Sequence, residues 1–169
     1  MNQHGWGGAL GVVLLLVCGT PNIAFARTTI DQKTLLSLPI QELQRQGAAA
    51  LHAGDPAQAI KIFSELAARQ PRDAASQTLL AFSYHLTSQT NPEAVDLALA
   101  GYDLAARAES GQFWPLALAG YAAYEQGRYD ESLSYLARGL LVRPTDQQAM
   151  AVLAAAAYMS GDAGLASVA

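Results

Sequence analysis

Cysteine is almost missing from this chain: Cys18 is the only one in 169 residues. Without it no disulfide, no thiolate nucleophile and no cysteine-based metal site remains, and Cys18 lies in a segment read below as removed. Histidine is nearly as scarce, with His4, His52 and His85. Charge is thin: Asp, Glu, Lys and Arg together make 14% of residues, and the formal net charge is −4. No basic block is present, which argues against a nucleic-acid partner. The motifs G-x-S-x-G and H-E-x-x-H are absent, as is a phosphate-binding glycine loop. Gly5-Trp6-Gly7-Gly8 comes nearest to such a loop, but it follows no strand-like run. The chain therefore reads as no enzyme, with no cofactor and no metal centre. What it does have is apolar residues, 51% of the total, too many for a disordered protein. Ala and Leu dominate while β-branched residues are few, so the expected fold class is all-α.

The first 26 residues hold no Asp, Glu, Lys or Arg. An apolar run from Ala9 to Val17 leads into Gly19-Thr20-Pro21 and then Ala24-Phe25-Ala26. A short apolar core, a helix breaker and an A-x-A site are the parts of a secretory signal peptide, here 1–26 with cleavage after Ala26. The run is shorter than the about 20 residues a bilayer span needs. The expected localisation is the periplasm or the exterior. The alternative is a lipid anchor at Cys18, but Val17 occupies the place where a lipoprotein box requires a small residue. Residues 27–39 are polar apart from Leu35-Leu36, and read as a linker or a short leading helix. Ser37 is placed to cap the following helix, with Pro39 in its first turn.

From residue 40 onward one pattern recurs. A helical segment ends at Gly54, and Asp55-Pro56 starts a second one, with Asp55 as N-cap and Pro56 at the first position. Ala59, Ile60, Phe63 and Leu66 form its apolar stripe, and Pro71 closes it. Around Gly127 the pattern returns, with Pro144 in the place of Pro71; both pairs are 73 residues apart. Gly127 to Gly161 is 34. The excess over two periods of 34 is a five-residue insertion, placed at Thr87–Asn91, with a long second helix about 92–108. The units are 40–73, 74–112, 113–146 and an incomplete 147–169.

A helix–turn–helix period of 34 residues resembles the tetratricopeptide repeat. Gly47, Ala81, Gly120 and Ala154 supply its small residue in each first helix. Ala59, Ala98, Ser132 and Ala166 supply it in each second helix. Phe63, Tyr102 and Leu136 are its large residues in the next layer, followed by Ala105 and Gly139. Leu66 and Ser110 depart from the family pattern, where a small residue and a proline are expected. The resemblance covers 40–169. It implies a right-handed superhelix of tandem repeats whose concave groove is lined by the first helix of each repeat, and a role in binding a protein or peptide.

Carried onto this sequence, the groove is aromatic rather than basic. The binding candidates are Phe82, His85, Trp114, Tyr121, Tyr124 and Tyr158. Positions where some family members place a basic clamp are Gln44, Ala48, Thr78 and Ala117, so that clamp is missing. Tyr and Trp give large contact area at low entropy cost. The ligand expected is an apolar or aromatic-rich peptide segment. The competing reading packs the same aromatics between repeats, with Tyr121 and Tyr124 best placed for it. His52 and His85 read as surface histidines. Asp130 and Glu131 open a helix, where acids favour the dipole, and Arg138 and Arg143 complement its other end.

The expected function is a non-catalytic interaction scaffold of a bacterial envelope. A glycan-binding module for exopolysaccharide assembly or export, with Trp114 and the tyrosines as stacking platforms, is the alternative. So is an N-terminal regulatory region of a larger protein. Ala163–Ala169 is short and apolar where repeat arrays finish with a polar outer helix. The first helix of the fourth unit is therefore expected to be poorly covered, inviting self-association or continuation.

Overall fold

The computed structural model describes residues 31–161. The signal segment and the apolar stretch after Gly161 lie outside the described residues. Among the described residues there are eight helices and no strand. They are α1 (Gln32–Ser37), α2 (Ile40–His52), α3 (Pro56–Arg69), α4 (Ala74–Ser88), α5 (Ala94–Ala108), α6 (Phe113–Glu125), α7 (Tyr129–Val142) and α8 (Gln147–Ser160). None of them is long and apolar enough to cross a membrane. The chain divides into two compact units, Met1–Pro71 and Arg72–Ala169.

In the first unit α2 and α3 form a hairpin. Gly54, at φ 70°, turns the chain, and Asp55 then caps α3 by accepting a hydrogen bond from the Gln58 amide at 3.0 Å. Pro56 sits in the first turn, where no amide is needed. The close approach of the two helices rests on Gly47. A Cβ there would overlap the Phe63 ring, which is fully buried. Leu43, Ile62 and Leu66 complete this core. Leu66 is large where the repeat pattern asks for a small side chain, yet the packing takes it in at 0% exposure.

The leading segment proves to be the short helix α1. Leu35 is buried and Leu36 is exposed. The Arg69 guanidinium donates to the carbonyls of Leu38 at 2.5 Å and Leu35 at 2.8 Å, satisfying groups that a helix end leaves open. Ser37 does not cap α2. It ends α1 and donates its Oγ–H to the Thr34 carbonyl, while Pro39 itself occupies the N-cap position of α2. The reason is local: with α1 helical through Ser37, its hydroxyl lies within reach of the carbonyl three residues back.

In the second unit α4 packs with α5, α6 with α7, and α7 with α8. Gly120 faces Leu136 and Gly139 faces Leu116 and Phe113, so the α6–α7 pair is antiparallel. Ala81 meets Gly101 across the α4–α5 pair. Asp73 and Asp146 cap α4 and α8 through the amides of Ser76 and Ala149. The five-residue insertion shows as a turn over 89–93, so α5 starts at Ala94, two residues later than its sequence pattern suggests. Arg138 does not serve the end of α7; it lies against Asp103 of α5 at 3.4 Å.

Candidate functional site

The candidate residues lie on α4, α6 and α8 of the second unit. Their burial separates them. Phe82 is 7% exposed and His85 6%, so both are core residues of α4. Trp114 and Tyr121 are partly buried, and both pack against one cluster of Phe113, Ala117, Leu136 and Ala149. Tyr124 is also partly buried, with its ring 5.7 Å from that of Tyr129. Tyr158 is 78% exposed.

His85 corrects its expected surface placement. It is buried at the meeting of α4, α5 and α6. Its Nε2 lies 3.1 Å from Glu125 Oε2, and its Nδ1 lies 3.4 Å from the Tyr102 hydroxyl. Phe82 and Tyr102 both present their rings edge-on to the imidazole. A buried imidazole needs partners for both nitrogens, and Glu125 and Tyr102 supply them. The partners lie 40 and 17 residues away in sequence, which is why the local surroundings of His85 suggest solvent. His52 is exposed. Among the described residues, no three His, Cys, Asp or Glu side chains converge as ligands for a metal ion.

Glu125 is held below its ordinary carboxyl pKa, first by the hydrogen bond from His85 and further by its charge, against the opposing effect of burial. Two tyrosines move the other way. Burial and the Glu125 charge raise Tyr102 well above the usual phenol range. Burial and the Asp146 charge push Tyr121 up to about 12. A phenol whose folded pKa exceeds its unfolded value contributes stability below the unfolded pKa and loses it as pH rises toward the folded one. Folding stability is therefore expected to fall above about pH 10. In a spectrophotometric titration, Tyr102 and Tyr121 should ionise at higher pH in the folded chain than in the chain unfolded by denaturant.

Arg143 complements the end of α7, as its position in the sequence implies. It occupies the C-cap, and its guanidinium also lies over two rings, 4.9 Å from the Phe113 centroid and 5.3 Å from that of Trp114. Arg143 is thus shared in a cation–π arrangement by Phe113 and Trp114, whose own rings meet edge-to-face at 5.3 Å. The 29-residue separation leaves no local sign of the pairing. On α6, Trp114 and Tyr121 are seven residues apart and share one face, with Ala117 between them.

No protein-family model matches the sequence, and no curated protein matches it. Solved structures do resemble the fold. The chain is similar to the first TPR domain of Spaghetti (RPAP3) bound to the HSP90 peptide SRMEEVD. Identity there is 16% and TM-score 0.62, over 72% of this chain and 95% of that one. MamA of MSR-1 aligns over 92% of this chain and 79% of its own, at 19% identity and TM-score 0.63. The TPR2B domain of yeast Sti1, solved as a pHsp70 complex, aligns over 70% of this chain and 96% of that one at 16% identity and TM-score 0.60. With helical hairpins turned at Gly54 and Gly127, and with Gly47 against Phe63 and Gly120 against Leu136, the chain has the tetratricopeptide-repeat fold.

Proposed function

We propose that this chain is a non-catalytic scaffold of the bacterial envelope, exported by the 1–26 segment, that binds an apolar or aromatic-rich peptide segment of a partner. One observation carries the reading. Trp114 and Tyr121 share a face of α6, and each is anchored on the core while keeping part of its ring at the surface. Anchored aromatics of this kind dominate binding energies, because little side-chain entropy is lost on contact. Two proteins of the same fold were solved with partners bound, one of them the HSP90 peptide SRMEEVD, which supports a peptide ligand. The sparse charge of the chain implies that affinity survives moderate salt.

The test is capture of partners from the exporting cell, with Trp114→Ala and Tyr121→Ala as controls. Each truncation is expected to cost about 2 kcal/mol, roughly thirty-fold in Kd. Both variants should remain helical by circular dichroism. Undiminished capture by the folded double variant would remove α6 as the binding face.

A second reading, self-association, is favoured by α8. No charged residue lies between Gln147 and Ser160, and Tyr158 and Met159 are 78% and 52% exposed. An uncharged helix with exposed large apolar side chains invites burial against another surface. Light scattering of the full chain should then show association that Tyr158→Lys weakens. A clean monomer at high concentration would reject this reading.

A further inference from the structure

We propose that Glu125 receives a cationic side chain of the bound segment, a lysine or arginine lying beside the apolar residues that meet Trp114 and Tyr121. The proposal rests on the reading of α6 as the docking face. Trp114, Tyr121 and Glu125 follow one another on α6 at separations of seven and four residues, so they form one stripe. Glu125 closes that stripe as the last residue of the helix.

The carboxylate is held in place on one side and open on the other. Its Oε2 bonds to His85, and His85 is itself fixed by the Tyr102 hydroxyl and by the edge of Phe82. Its Oε1 has no hydrogen-bond partner among the described residues, and the side chain is 47% exposed. The bond from His85 also favours the charged form. A carboxylate already oriented and partly stripped of water forms a charge-assisted hydrogen bond with less ordering cost than a free surface acid.

The stripe is also polar end to end. Arg143 stands over Trp114 at one end, and Glu125 stands at the other. The eleven-residue separation of Trp114 and Glu125 spans about 16 Å of helix, which an extended peptide covers in about five residues. A cation on the ligand is attracted to the Glu125 end and repelled from the Trp114 end. The acid beside Tyr121, Asp146, serves α8 as its cap, accepting from the Ala149 amide through Oδ1. Charge complementarity thus selects a segment with its basic residue at the far end from the ring that meets Trp114.

The experiment measures fluorescence anisotropy of labelled peptides against the full chain. The probes are Leu-Phe-Leu-Tyr-Leu-Lys and the same peptide with Gln in place of Lys, both blocked at their ends. The lysine peptide is expected to bind about tenfold tighter, with the ratio falling toward one in 0.5 M salt. In Glu125→Gln, where the amide oxygen still accepts from His85, the ratio should fall to about one. If wild type binds both peptides equally, the cation site is overturned and the docking face stands. A preference that persists in Glu125→Gln or in high salt overturns it as well. If wild type binds neither peptide, the docking face itself fails and the cation site with it.

Discussion

Phe63→Ala is expected to destabilise the chain by about 3–5 kcal/mol, the cost of removing a fully buried aromatic ring. For a protein of this size that lowers Tm by roughly 10 °C. Phe63 is 0% exposed and lies where a side chain on Gly47 would have to go. This makes a sharper, two-residue test possible. Helix propensity alone predicts that Gly47→Ala stabilises α2 by about 1 kcal/mol. The structure predicts the opposite sign, because the new methyl overlaps the Phe63 ring. In the Phe63→Ala background the obstacle is gone, so Gly47→Ala should become stabilising. The double-mutant cycle, read by denaturant unfolding, should therefore give a large coupling. Additive effects would mean that the two residues do not meet.

Tyr102→Ala is expected to be as severe, again about 3–5 kcal/mol for the ring. It also leaves the buried Nδ1 of His85 without a partner, so part of the loss belongs to histidine. Tyr102→Phe separates the two contributions. It keeps the ring at 0% exposure and removes only the hydroxyl that lies 3.4 Å from His85. Leaving a buried polar nitrogen unpaired costs about 1–3 kcal/mol. Thermal unfolding of the two variants should thus fall in the order wild type, Phe, Ala. Wild-type stability for Tyr102→Phe would show that the hydroxyl contributes nothing to holding His85. The result bears on the proposed cation site as well, since His85 holds Glu125.

The same two sites show where reading the sequence succeeds and where it stops. The small-to-large pairing of Gly47 with Phe63 and of Gly120 with Leu136 is legible, because the repeat brings each pair to the same offset within its own hairpin. Leu66 is a departure from that pattern without a structural penalty, since it is buried completely. His85 is not legible. Its polar neighbours in sequence suggest solvent, while its real surroundings come from α5 and α6. Arg143 is similar: a basic residue at a helix C-terminus already has a local explanation, which conceals its place over Trp114.

Most of the helices and their glycine turns were determined by sequence alone, the N-cap of α2 and the start of α5 excepted. The causes act over a few residues: Asp55 and Pro56 start α3, and Gly54, Gly127 and Gly161 take the positive φ of the turns. The period followed because those local signals recur. Only the tertiary structure decided which aromatic residues carry surface and which form core. Burial depends on side chains brought in from other helices, so Phe82 and Tyr158, both proposed for one groove, end at 7% and 78% exposure. The surface proposed for binding is the α6 stripe from Trp114 to Glu125, set by packing across hairpins rather than by any signal along the chain.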